Sequence, residues 1–278
     1  MHKKNIILIS LKESFSLVIK NKLFFAMLFI LQIIFFGIFF AISLNYQTKI
    51  LETAKEMFVS MSQQNPDDVE ISSRILQQKD IFSEQASLTK NFSEIIRNFR
   101  FYLIYTFILL VILTSIVWTL TNKLIYKNNS TQFFNIFFKI LIVSVFYLGL
   151  IFVFFFSLLN ISLIEAASLL TGLFMKYVPF VIFSIILFYF MFISLPLLHK
   201  TKLNSIVQET LSIGIKKAHY VFFAYFINLL LLIIPFYLLF YFIETNFFIV
   251  VLSMLMLIFS FVFGRIFIIN VVDKLRSG

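Results

Sequence analysis

Six stretches of the chain are apolar for about the 17–25 residues that an α-helix needs to cross hydrocarbon. They are residues 23–44, 101–120, 140–159, 177–198, 220–243 and 247–264. None contains Asp, Glu, Lys or Arg. An unbroken apolar run in lipid must satisfy every backbone N–H internally, so each run is predicted to be helical despite its many Ile and Phe residues. The expected fold is therefore all-α: a polytopic membrane protein of about six spans, with cytoplasmic amphipathic helices and an outer helical insert. The whole chain, residues 1–278, reads as one membrane domain.

Two further patterns are helical but not spanning. In 203–217, Leu203, Ile206, Val207, Leu211 and Ile215 share one face, while Asn204, Gln208, Glu209, Ser212 and Lys216 share the other. Residues 1–22 repeat this with Leu8, Leu11, Phe15, Val18 and Ile19. Such helices lie in the membrane interface with lysines reaching the headgroups. The outer segment 45–100 carries helical spacing at Ile50, Ala54, Met57, Phe58 and Met61, so the first span is expected to continue to about Gln63. Asn65-Pro66-Asp67-Asp68 then breaks the helix, and a second one is expected over about 70–86. The Met57, Phe58 and Met61 face is a candidate docking surface for an outer partner.

Composition agrees with lipid as the main solvent. Apolar residues make up 61% of the chain and charged residues only 13%, far from the values of a soluble domain. The net charge is +10, but the basic residues flank spans rather than striping a soluble face, so nucleic acid is not the expected partner. With the N-terminus placed inside, fifteen of the 23 Lys and Arg residues fall in inner segments. Among short outer segments there is only Lys176. That asymmetry puts both termini in the cytoplasm of a cell-membrane protein in contact with anionic headgroups. The first apolar run is too long for a signal-peptide core, so Ala41-Ile42-Ser43 is read as part of an uncleaved anchor.

Self-comparison reveals an element used three times. Residues 13–20 read Glu-Ser-Phe-Ser-Leu-Val-Ile-Lys, residues 209–216 Glu-Thr-Leu-Ser-Ile-Gly-Ile-Lys, and residues 132–139 Gln-Phe-Phe-Asn-Ile-Phe-Phe-Lys. Each precedes an outward span, and the middle copy has the least distinct polar face. If the three lie in one ring, Glu13, Gln132 and Glu209 form a candidate cytoplasmic docking surface. The arrangement resembles polytopic families built from an interfacial helix and a membrane hairpin. One is the membrane domain found beside glycerophosphoryl diester phosphodiesterases, and another is a group of uncharacterised prokaryotic six-span proteins. The resemblance implies a repeated helical membrane fold. The acidic and histidine metal ligands of the phosphodiesterase domain do not appear, so its catalysis is not carried over.

Candidate chemistry is sparse. The chain has no cysteine and three histidines, His2, His199 and His219. No metal-ligand, P-loop or dinucleotide pattern occurs, and no cofactor is expected. Gln32 and Asn228 each lie about ten residues into an outward span, either lining a path or joining helices. Pro196 and Pro235 are hinges or plain kinks, while Pro179 is expected in the first turn of its span. Glu165 falls in an expected re-entrant or interfacial helix over 161–176. Arg265 is expected to snorkel to headgroups or to pair with Asp273, Glu13 or Glu209. Asn91-Phe92-Ser93 is an outward glycosylation sequon.

Three function classes follow. The first is a non-catalytic scaffold, assembly factor or accessory subunit of a membrane complex, with a protein partner on the outer insert or the cytoplasmic helices. The second is a permease, or the transmembrane subunit of a transporter driven by a separate ATPase. The third, an intramembrane lipid enzyme, lacks any visible acid–base pair, so the chain is not expected to be an enzyme.

Overall fold

The structure is a computed structural model that describes residues 6–62, 78–126, 130–165 and 170–277. Among these residues the only regular secondary structure is helix. The helices are α1 (Ile6–Lys20), α2 (Lys22–Ser62), α3 (Gln78–Tyr126), α4 (Ser130–Glu165), α5 (Leu170–Leu197), α6 (Leu203–Lys216), α7 (Ala218–Phe242) and α8 (Phe247–Ser277). Six of them, α2 to α5, α7 and α8, are long and apolar enough to cross a membrane. The expected break at Asn65–Asp68 and most of the second outer helix before residue 78 lie outside the described residues.

The helices are longer than the apolar runs. α2 continues to Ser62 and α3 begins at Gln78, each with about twice the residues that a span requires. Residues 161–165 prolong α4, and α5 already starts at Leu170. The separate interfacial helix expected over 161–176 is therefore not what forms. Pro179 is likewise corrected: it lies well inside α5 rather than in a first turn. The side chain of Glu165 lies outside the described residues.

The chain divides into two compact units. One comprises residues 36–109, with the C-terminal part of α2 and the N-terminal part of α3. Within it Ser43 and Tyr102 share a hydrogen bond of 3.1 Å, and Tyr46 packs between Tyr102 and Tyr105. The other unit, residues 1–35 and 110–278, is organised by α8. Its first half is largely exposed, as a lipid-facing helix would be, but from Val262 to Val272 nearly every side chain is buried. A helix apolar and buried on all sides is a central helix. Leu28 of α2, Leu124 of α3 and Val262 and Ile266 of α8 form one cluster, with Leu17 and Val18 of α1 against it.

Close approach is set by small residues. On α8, Ser260 and Gly264 are one turn apart and face α7. A Cβ on Gly264 would stand 3.0 Å from Asn228 Oδ1. On α1 the buried positions are Ile7, Ser10 and Ser14. Ser14 donates to the Ser10 carbonyl at 2.7 Å and accepts from Asn270 Nδ2, also at 2.7 Å.

Pro235 lies inside α7. Proline has no N–H, so the carbonyl four residues earlier, on Leu231, loses its helical donor. Ser260 Oγ lies 2.8 Å from that carbonyl and 2.9 Å from the Met256 carbonyl of its own helix, so its one proton is shared between the two acceptors. The neighbouring helix thus satisfies the group the proline frees, which hydrocarbon cannot do. Replacing Ser260 with Ala should lower stability by about 0.6–1.7 kcal/mol. In a Pro235→Ala background, where the helix donor returns, the same change should cost much less. Thermal unfolding of the four proteins in detergent measures this cycle; equal costs in both backgrounds would refute the pairing.

Candidate functional site

The polar groups of the α8-centred unit fall at two levels. The outermost layer lies at the C-terminal end of α8, where four consecutive residues are tied to different parts of the chain. Asp273 accepts a salt bridge from Lys200 at 2.7 Å, and Lys274 meets Glu13 at 2.7 Å. The Leu275 carbonyl accepts from Lys217 Nζ. Arg276 holds Glu209 with two nitrogens, Nε at 3.1 Å and Nη2 at 3.2 Å. Glu209 also accepts from Thr201 Oγ1 at 2.9 Å, and the Thr201 carbonyl accepts from Lys139 at 3.3 Å. The last turn of a helix leaves carbonyls without partners and carries negative partial charge, so lysines and arginines gather there.

Glu13 and Glu209, equivalent in the sequence repeat, therefore bind alternate cations of one helix turn. Gln132 is exposed at the start of α4. The three elements also differ in how they join their spans. α1 meets α2 at Asn21, and α6 meets α7 at Lys217, whereas 132–139 is continuous with α4. At equivalent positions Phe15, Leu211 and Phe134 are exposed, as are Ile19, Ile215 and Phe138. The apolar faces of α1 and α6 thus turn partly away from the protein.

The second level is deeper. Arg265 precedes Lys274 by nine residues, about 13 Å along the helix. Its Nη1 donates to Gln32 Oε1 at 2.8 Å, and Gln32 is buried on α2. The Nε and Nη2 atoms are buried with no hydrogen-bond partner. This corrects the expected pairing with Asp273, Glu13 or Glu209, since each of those acids holds a different cation. It also corrects the expected snorkelling. Helical side chains lean toward the N-terminus of their helix, which carries the guanidinium of α8 away from the ionic layer. Asn228 does not bond Gln32; its Nδ2 donates at 3.4 Å to the carbonyl of Gly264, the residue before Arg265. The two amides therefore meet consecutive residues of α8. Pro196 sits at the last turn of α5.

Of the outer face, Phe58 is 72% exposed, Met57 is half-buried, and the Met61 side chain lies outside the described residues. Neighbouring positions on a helix point about 100° apart, which separates Met57 from Phe58. Leu51, two turns before Phe58, is 60% exposed and shares its side of α2.

Sequence reasoning missed the role of Lys274 and Arg276, and it placed Arg265 at the membrane edge. The alternating charges of Asp273-Lys274-Leu275-Arg276 were the available signal. Among the described residues, no group of three or more His, Cys, Asp or Glu is arranged to hold a metal ion. Comparison with known proteins gives no match: no family model, no curated protein and no solved structure matches the chain.

His199 completes the ionic layer. Its ring stacks on Tyr126 with centroids 3.9 Å apart, and Lys200 stands 5.1 Å over the same Tyr126 ring. Burial lowers the His199 pKa, and the charges of Lys200 and Lys139 lower it further against the opposing pull of Asp273. Below the usual imidazole pKa of about 6.5 the unfolded chain then binds the proton more readily, so this group makes stability fall as pH drops. The melting temperature should fall between about pH 7.5 and pH 5.5, and less steeply in His199→Gln. An unchanged slope in that variant would remove His199 from the account.

Proposed function

We propose that the chain is a multi-pass protein of the cell membrane with both termini in the cytoplasm, and that it is a non-catalytic accessory or assembly subunit of a membrane complex. One observation carries this reading. α2 runs well beyond the length of a span, and on that added length Leu51 and Phe58 form an exposed apolar stripe two turns apart. Apolar side chains so placed outside hydrocarbon are the mark of a protein contact. The charges beside them on α2, Glu52, Lys55 and Glu56, suit an amphipathic partner helix that lays its apolar face along the stripe. In the other unit, Glu13 and Glu209 are already engaged by α8, which favours the Leu51–Phe58 stripe as the docking face.

A second reading is a permease, or the membrane subunit of an ATPase-driven transporter. Arg265 favours it. A cation within a spanning helix, with two nitrogens unpartnered, is a functional-site candidate by default, and a path for an anionic solute would use it.

A photoreactive amino acid placed at Leu51 or at Phe58 in otherwise native chain tests the first reading in intact membranes. The same discrete protein adduct is expected from both positions. Leu51→Glu with Phe58→Glu should abolish the complex without lowering the amount of the chain in the membrane. Adducts with lipid alone would contradict the reading. Co-purification of an ATPase, with solute uptake lost in Arg265→Gln, would replace it by the permease.

A further inference from the structure

Within the unit of residues 36–109, α2 carries two seams that advance in alternating steps of three and four residues, the spacing of a coiled coil. The first is Ser43, Tyr46, Ile50, Thr53 and Met57, each buried or half-buried. α3 covers this seam, through the Ser43–Tyr102 hydrogen bond and the rings of Tyr102 and Tyr105 against Tyr46. The second is Phe40, Leu44, Gln47, Leu51, Ala54 and Phe58, about 100° round the helix from the first. All six of its positions are exposed. Of the six long apolar helices, α2 is also the least buried over its apolar stretch.

The first two positions of the second seam belong to the apolar run that ends at Leu44, and lipid accounts for their exposure. The rest lies beyond that run, where charge is frequent: Lys49, Glu52, Lys55 and Glu56 all occur between Leu44 and Phe58. None of them falls on the seam. A regular seam kept free of charge among charged neighbours has the composition of a covered helix face.

The same composition identifies what covers it. One sequence inserts into a membrane one way, so two copies related by a two-fold axis set their α2 helices parallel and in register. Each seam residue then faces its own counterpart. A charged residue there would face its like, which is costly, and the seam has no charge. Gln47 is its one polar residue, and a carboxamide both donates and accepts, so it pairs with its own counterpart. A single polar residue of this kind fixes the register of a helix pair. A partner of different sequence imposes neither condition, because it can answer a lysine with an acid.

Gly37 continues the seam one step earlier and is exposed. A Cβ there would meet nothing within 4 Å, so packing inside the chain does not call for glycine, which weakens a helix interior. A glycine facing a second helix lets the two backbones approach closely.

We propose that α2 pairs with α2 of a second copy of the chain, parallel and in register, along Gly37, Leu44, Leu51 and Phe58 and the seam residues between them. The first seam stays with α3 and the second goes to the second copy. This names the partner of the Leu51–Phe58 stripe, and it rests on the reading of that stripe as a docking face.

The chain has no cysteine, so single cysteines report the pairing. Full-length chains carrying two different tags are produced together, and their native membranes are oxidised. Leu51→Cys and Ala54→Cys, both on the seam, should each give a disulfide-linked product of two chains that carries both tags. Glu52→Cys, on the charged side of α2, should give little. Gly37→Leu added to Leu51→Cys should lose most of the linked product while the amount of chain in the membrane stays the same. Equal linking at positions 51, 52 and 54 would overturn the proposal, as would a product undiminished by Gly37→Leu or the lack of any two-tag product from the seam positions. A photoreactive residue at Leu51 then separates this failure from that of the docking face. An adduct with a different protein leaves the docking face standing and removes the second copy from it, whereas the lack of any protein adduct removes both.

Discussion

Burial of the second half of α8 on every side is the constraint on which the α8-centred unit depends. A helix enclosed in this way must offer each neighbour a different contact. It offers Val262 and Ile266 to α2 and α3, Ser260 and Gly264 to α7, Asn270 to α1, and the charged run Asp273 to Arg276 to whatever lies at its end. Lipid gives helices no hydrophobic reason to associate, so packing of small residues and interhelical hydrogen bonds must hold them. The serines, glycine and asparagine of α1 and α8 supply those contacts.

The second regularity is that polar groups are answered locally. The carbonyl released by Pro235 is taken by Ser260; Ser14 both donates to Ser10 and accepts from Asn270; Glu209 binds Arg276 and Thr201 together. Partly exposed ion pairs of this kind contribute little singly, about 0–1 kcal/mol each. Their value lies in geometry: three of them within one turn of one helix fix the register of α1, the α5–α6 connection and α6 against α8. Arg265 departs from the pattern. Gln32 is a neutral partner, and a neutral amide offsets only part of the cost of placing a guanidinium away from water. That residue is where the structure invites a function beyond support.

The spans were legible because twenty apolar residues without charge admit one structure in lipid. The all-helical class and the six long apolar helices follow from that alone. Helix ends were less legible. Residues 161–165 and 170–176 carry polar side chains, which suggested a separate interfacial helix, yet backbone hydrogen bonding simply carries α4 and α5 through them. The partner of Arg265 was hidden for a different reason: Gln32 lies 233 residues away, and charge counting assigns cations to acids, not to amides. Likewise the periodicity of α1 and α6 suggested one apolar face but gave no sign of which side α8 would take; on α6, Ile206 is buried while Val207, Leu211 and Ile215 are exposed. The structure puts Ser14 and Thr210, not Phe15 and Leu211, against the protein. Small polar residues allow closer approach, and the large apolar ones are left exposed.

The contact between Ser14 and Asn270 joins α1 to the buried half of α8 across 256 residues of sequence, and it forms only where α1 packs on α8 as the account places it. The absence of native cysteine makes it directly accessible. Ser14→Cys with Asn270→Cys, treated in native membranes with a short bifunctional thiol reagent, should give near-complete cross-linking within one chain and none with either single variant. A double variant that stays unlinked, or that links only between chains, would contradict the central position of α8.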